Sequence, residues 1–143
     1  ERRQLVKVQG IDHVSINVKD MEASAKFYAE VLGFRRLQTV PMDGGFSITY
    51  FEIPGGGRME LFDYAGKNRA VQREENDAGL RHLAFSVDDV AAAEKMLRGK
   101  GVTIRLPATD IPSLDARVLL VLDPNGVTLE FCQPLTSMGE KRT

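Results

Sequence analysis

The chain has 143 residues, of which 43% are hydrophobic and 27% charged, and its formal charge is −1. These values suit one globular domain or two small modules that share a core. The charges are mixed along the chain, which argues against nucleic-acid partners, and no polybasic run or long apolar stretch indicates a membrane. Cys132 is the single cysteine, so no disulfide can form within the chain. The start also lacks a signal-peptide pattern, and we therefore expect a cytoplasmic protein.

Two blocks of the chain repeat each other at an offset of 69 residues. The first reads GIDHVSINVKD, ending at Asp20, and the second reads GLRHLAFSVDD, ending at Asp89. Each block is followed by a helical pattern, with the aspartate as the predicted N-cap and a glycine, Gly33 or Gly99/Gly101, as the predicted stop. Such a repeat indicates a duplicated structural unit whose two copies bury a common face.

Each repeat is predicted to contain a strand, a helix and three further strands, so the fold class is α+β. Turn signals PMDGG, PGGG and DPNG separate the predicted strands. We expect the segment 106–115, which contains two prolines, to be a loop. The predicted organisation is a first module at 9–64, a linker at 65–80, a second module at 81–133 and a tail at 134–143. The predicted strands are 11–18, 34–41, 46–53, 58–64, 81–87, 102–106, 115–122 and 126–132.

The only two histidines, His13 and His82, occupy matching positions of the repeat, and Glu60 and Glu130 match in the two closing strands. Side chains alternate across a strand, so in all four strands the bulky apolar residues share one face. The four polar residues then take the opposite face. If helices cover the apolar faces, all four point into an open cup.

Carboxylates in a half-buried cup are costly unless they are paired or bind a metal. Two imidazoles and two carboxylates form a mixed nitrogen and oxygen set, which suits nickel, cobalt, zinc, manganese or iron. The sequence therefore predicts one divalent metal ion held by His13, Glu60, His82 and Glu130. An octahedral ion with four protein ligands leaves two positions for a small substrate with adjacent oxygens.

The blocks GIDHVSINVKD–KFYAEVLGF and GLRHLAFSVDD–DPNGVTLEF resemble the vicinal oxygen chelate superfamily. It includes glyoxalase I, methylmalonyl-CoA epimerase, extradiol dioxygenases, fosfomycin-resistance transferases and bleomycin-resistance binding proteins. The resemblance spans about residues 9–133. It implies paired βαβββ modules that form an eight-stranded open cup or barrel with helices outside, and it places the metal ligands at the same four positions. It also implies a homodimer, in which modules pair within one chain or swap between two.

The ligand set is most similar to that of bacterial glyoxalase I, but two neighbouring positions differ. Glutathione-dependent glyoxalases usually carry Arg where this chain has Asn17, and Asn where it has Tyr64. The resemblance thus implies a metal-dependent isomerase or lyase that acts next to a metal-bound carbonyl, either glyoxalase-like, with or without glutathione, or epimerase-like. Glu130 is the favoured base by analogy, while the residues alone leave Glu60 equally possible.

Four residues near the predicted ligands are candidate substrate contacts. Ser15 and Asn17 share the face of His13, Tyr64 lies in the same strand as Glu60, and Arg117 offers a cation to a substrate carboxylate. Two alternatives stay open: a non-catalytic drug-binding protein of the bleomycin-resistance kind, and an iron-dependent extradiol-type dioxygenase.

Overall fold

The computed structural model describes residues 3–70 and 72–136, so the end of the predicted tail, 137–143, lies outside the described residues. The first repeat forms β1, α1, β2, β3 and β4, and the second forms β5, α2, β6, β7 and β8. In chain order these are β1 His13–Asn17, α1 Met21–Lys26, β2 Arg35–Met42, β3 Phe46–Glu52, β4 Arg58–Asp63, β5 Leu83–Ser86, α2 Val90–Gly99, β6 Ile104–Ile111, β7 Ala116–Leu122 and β8 Thr128–Pro134.

The strands form two four-stranded sheets with the same topology. One has the order β1-β4-β3-β2 and the other β5-β8-β7-β6. In each sheet the first strand pairs in parallel with the closing strand, and the remaining pairs are antiparallel. The predicted α+β fold of two βαβββ modules is confirmed. Within the described part of the chain the two sheets remain separate and do not close into a barrel.

Both helices begin where the sequence predicted. The side chains of Asp20 and Asp89 accept hydrogen bonds from the backbone N–H of Ala23 and Ala92, each at 2.9 Å. These caps satisfy N–H groups that have no partner inside the helix. The first helix is shorter than expected, because α1 passes into a π-helical segment, Phe27–Val31, before the chain turns.

The apolar faces of both sheets pack against the helices in one shared core. Met59 and Leu61 of β4 and Leu129 of β8 are 0% exposed. The core joins the two modules, since buried residues of both repeats belong to one cluster and the ring of Phe34 meets that of Phe85 edge-on at 5.4 Å. The alternation predicted for the closing strands is therefore the one that the fold uses.

The expected loop at 106–115 is wrong, because the chain continues as β6 to Ile111 and then makes a short 3₁₀ turn, Pro112–Leu114. Pro107 is tolerated for two reasons. β6 is an edge strand, and its pairing with β7 shifts between Leu106 and Thr109. Edges and bulges are the places where a sheet accepts a residue without an N–H donor.

A buried hydrogen bond ties the modules together. The Tyr28 hydroxyl donates to Asp123 in the DPNG turn at 2.8 Å, and the same aspartate accepts the backbone N–H of Asn125 and Val127. Burial raises the pKa of the Tyr28 phenol, and the charge of Asp123 raises it further.

Among the described residues no helix is long and apolar enough to cross a membrane.

Tyr28→Phe removes this donor while leaving the ring in the core. We expect the free energy of unfolding to fall by about 1–3 kcal/mol, since the buried carboxylate loses a partner. Denaturant unfolding measures this loss. Tyr64→Phe is the matched control at a ring 36% exposed, and it should change stability by less than about 0.5 kcal/mol. Equal losses of stability in the two variants would contradict a stabilising hydrogen bond between Tyr28 and Asp123.

Candidate functional site

The first module brings His13 and Glu60 together on the sheet face opposite the core. The His13 Nε2 atom lies 3.2 Å from Glu60 Oε2. The other ring nitrogen, Nδ1, lies 2.7 Å from the carboxylate of Asp12. A proton shared between Nδ1 and Asp12 fixes the orientation of the ring and leaves Nε2 facing Glu60.

Glu60 is flanked by three side chains, those of His13, Ser15 and Tyr50. It is only 8% exposed, although its strand neighbours on the opposite face fill the core. Ser15, its register partner on β1, donates its hydroxyl to Glu60 Oε2 at 2.8 Å. Tyr50, its register partner on β3, lies beside Glu60. Burial raises the pKa of the Tyr50 phenol, and its interaction with the Glu60 carboxylate raises it further.

The second module repeats the pair with different surroundings. His82 Nε2 lies 3.4 Å from Glu130 Oε2. The register partners of Glu130 are Ala84 and Leu120, at the positions that correspond to Ser15 and Tyr50. Neither side chain can donate a hydrogen bond. The two carboxylates therefore have different neighbours: Glu60 accepts a hydrogen bond from Ser15 and lies beside Tyr50, and Glu130 is flanked by apolar side chains.

The geometry of both pairs fits two ligands of one ion. Ligands about 2.1 Å from a metal and at right angles to each other lie about 3.0 Å apart, close to the separations of the two pairs, 3.2 and 3.4 Å. With Nδ1 of His13 protonated toward Asp12, its Nε2 lone pair faces a carboxylate oxygen. Two electron-pair donors at this distance repel each other unless a cation or a proton lies between them.

One chain does not assemble all four residues. Among residues 3–70 and 72–136, no three side chains of His, Cys, Asp or Glu lie close enough together to hold a metal ion. The structure thus contains two half-sites, one in each module. A cleft of about 660 Å³ between β1, the linker and the second sheet reaches Ser15, Asn17 and His82, whereas His13, Glu60 and Glu130 do not line it.

The other predicted contacts fall in different places. Asn17 lies beside Phe62, its register partner on β4. Tyr64 follows β4 and stacks on Phe46 with ring centroids 4.9 Å apart. Arg117 is the register partner of Gln133, whose side chain caps α2, so it lies on the helix side of the sheet. There its guanidinium is bound to Asp110, which leaves Arg117 away from both half-sites.

Two residues of the first half-site were not proposed from the sequence. Asp12 precedes His13 directly, and a carboxylate beside a candidate ligand was the available signal. Tyr50 carried no such signal, because its proximity to Glu60 depends on the β3–β4 register.

A family model described as the Glyoxalase/Bleomycin resistance protein/Dioxygenase superfamily matches residues 10–131. Uncharacterized protein YwkD of Bacillus subtilis is 33% identical over 87% of this chain and 96% of its own length. Lactoylglutathione lyase of Haemophilus influenzae is 26% identical over 85% of this chain and 90% of its own length. Human mitochondrial methylmalonyl-CoA epimerase is 29% identical over 64% of this chain and 54% of its own length.

Solved structures show the same fold. A glyoxalase family protein from Enterococcus faecalis superposes with a TM-score of 0.77 at 26% identity, covering 87% of this chain and 98% of that one. A domain from Frankia sp. described as glyoxylase/bleomycin resistance protein/dioxygenase gives a TM-score of 0.76 at 27% identity, covering 90% and 93%.

The contact between Tyr50 and Glu60 can be tested without any metal. In metal-free protein, Glu60→Gln should lower the pKa of the Tyr50 phenol toward its ordinary value, because the neighbouring negative charge is gone. NMR of isotope-labelled tyrosine through an alkaline titration measures this. Glu130→Gln is the matched control and should leave Tyr50 unchanged. An unaltered pKa in Glu60→Gln would show that the two side chains are not in contact.

Proposed function

Because the chain belongs to the Glyoxalase/Bleomycin resistance protein/Dioxygenase superfamily, we propose that it is a divalent-metal-dependent lyase or isomerase. It removes a proton next to a carbonyl of a small substrate with adjacent oxygens. The observation that carries the proposal is the duplicated pair of an imidazole and a carboxylate, with Nε2–Oε2 distances of 3.2 and 3.4 Å at equivalent positions of two sheets.

We propose that a second copy of the chain completes the metal centre. His13 and Glu60 of one copy meet His82 and Glu130 of the other, so that a symmetric dimer holds two equivalent sites. This arrangement is supported by the separation of the half-sites within one chain. Two nitrogen and two oxygen ligands suit nickel, cobalt, zinc, manganese or iron.

A bound divalent ion supplies Lewis acidity to the substrate carbonyl. The protein then has to orient the substrate, accept its proton at a carboxylate oxygen and return that proton to the neighbouring carbon. Ser15 donates a hydrogen bond to Oε2 of Glu60, and Tyr50 lies beside the same carboxylate from the other neighbouring strand. Those contacts oppose both movement of Glu60 and its use as a base.

Glu130 is the proposed base. Its side-chain neighbours Ala84 and Leu120 supply no hydrogen bond that would hold the carboxylate in place. Asn17 and Tyr64 lie on the same face as Glu60 and are proposed substrate contacts, with Ser15 acting through Glu60. Arg117 has no role in this proposal.

Mixing two inactive variants tests the shared metal centre. His13→Ala and His82→Ala each remove one ligand from every site of a homodimer, so each should lose most of its metal uptake. After co-refolding, a mixed dimer regains one intact site, and the mixture should bind about one quarter of the wild-type metal. Elemental analysis of the isolated dimers measures this.

Two results would contradict the proposal. No recovery on mixing would show that each site is built within one chain. No uptake of any transition metal by the wild-type protein would remove the metal-dependent reaction altogether and favour a binding protein.

Replacing each carboxylate separately tests the choice of base. Glu130→Gln keeps an oxygen ligand but cannot accept a proton, so turnover should fall by about 10²–10⁴-fold while metal stays bound. Substrate–solvent deuterium exchange on a panel of hemithioacetals, α-hydroxyketones and acyl-CoA epimers reports the proton transfer. If Glu60→Gln abolishes exchange and Glu130→Gln retains it, Glu60 is the base.

A further inference from the structure

The first module carries an aromatic cluster beside its half-site, formed by Phe46, Phe62 and Tyr64. The three ring planes are nearly parallel, with angles of 14° to 22° between them. Their centroids lie 4.9 to 6.4 Å apart, within the range of favourable ring contacts. Three rings in one orientation offer a surface on which another flat ring can align.

Strand geometry puts the cluster on the same sheet face as the metal-capable pair. Phe62 is two residues beyond Glu60 along the chain, and Tyr64 is four residues beyond it. Because side chains two apart share a face, Phe62 lies about 7 Å from Glu60 along the sheet, and Tyr64 about 13 Å away. Phe46 joins them from β3, whose residue Ile48 pairs with Phe62.

The side chains that share the sheet face with the cluster are uncharged. Side chains that share this end of the face by register are those of Asn17, Val40, Met42 and Ile48. The charged groups of the half-site lie toward the other end of β4, where Arg58 contacts Asp12 and the ring of Tyr50. The face is therefore polar at the half-site and apolar beyond it.

The second module has smaller side chains at the corresponding positions. An offset of 70 residues takes Phe46, Phe62 and Tyr64 to Ala116, Cys132 and Pro134, and Ala116 and Pro134 are again register partners. These side chains are small. The second module therefore places no ring of its own at the positions that correspond to the aromatic cluster.

We infer that the aromatic cluster is a subsite for a planar aromatic group of the substrate, held about 7–13 Å from the oxygens at the metal. The inference rests on the proposed function, since it takes the half-site as the anchor of the same substrate. It assigns the substrate to a class: a compound with two adjacent oxygens at one end and an aryl group at the other. Tyr64 is 36% exposed and Met42 41%, so the cluster is open to such a group.

Two hydroxamic acids separate the anchor from the subsite. Acetohydroxamic acid offers only the two adjacent oxygens, whereas 2-naphthylacetohydroxamic acid adds a flat ring. In zinc-loaded wild-type protein the naphthyl compound should bind about tenfold more tightly. The chain contains no tryptophan, so naphthyl fluorescence can be followed without tryptophan background.

Tyr64→Ala and Phe46→Leu should each reduce this preference by about threefold to tenfold, with little change in acetohydroxamate binding. The first variant truncates an exposed ring beyond the end of β4, and the second keeps apolar volume while removing the ring. Met96→Ala is the control, because Met96 is a 59% exposed apolar side chain on α2. It should leave the binding of both compounds unchanged.

The outcomes distinguish this inference from the proposed function. Equal affinity of the two hydroxamates in a protein that binds metal would overturn the subsite and leave the metal centre standing. Dissociation of the dimer in Tyr64→Ala, measured by sedimentation, would overturn it as well and identify the cluster as a subunit contact. If the protein takes up no metal, NMR shift changes at the cluster on adding 2-naphthylacetohydroxamic acid would still support an aryl site. Their absence would overturn it.

Discussion

The alternation of side chains along the two closing strands is the constraint on which the rest of this structure depends. In β4, Met59 and Leu61 are both 0% exposed, so the residue between them must point to the other side of the sheet. The same holds for Glu130 between Leu129 and Phe131 in β8. Burial of the apolar residues thus determines where the carboxylates go, and each lies beside an edge strand that begins at His13 or directly after His82.

The shared core has a second consequence. Both modules bury their apolar faces in one core, and the buried hydrogen bond between Tyr28 and Asp123 holds them in that arrangement. Each imidazole–carboxylate pair then lies on the remaining face of its own sheet. A four-ligand centre requires two such faces to oppose each other, which a second copy can provide while the core of each chain stays intact.

The two modules share one framework but differ in the side chains beside their carboxylates. Equivalent positions hold Ser15 and Ala84 beside one strand edge, and Tyr50 and Leu120 beside the other. A carboxylate that accepts a hydrogen bond is held in place and suits a permanent ligand, whereas one between apolar side chains is freer to move. The aromatic cluster exists in the first module only, so a substrate would meet two chemically different walls.

The sequence by itself determined the repeat, the helix caps at Asp20 and Asp89, and the faces of the closing-strand residues around Glu60 and Glu130. These features depend on local chemistry and on the two-residue period of a strand, which can be read from the order of residues. The prediction of a loop at 106–115 was wrong for a related reason. Proline is excluded from a central strand but tolerated in an edge strand with a bulge. Whether a strand lies at an edge depends on the strand order, which local sequence does not give.

Only the tertiary structure decided which side chains meet across strands. Tyr50 reaches Glu60, and Phe46 reaches Tyr64, because the β3–β4 hairpin has one register. Arg117 points away because its register places it with Gln133 on the helix side. The tertiary structure also decided that the two pairs form separate half-sites, since the helices and the common core set how far apart the sheets lie. Register and the packing of one module on another are set by contacts between distant residues, and a pattern along one chain does not contain them.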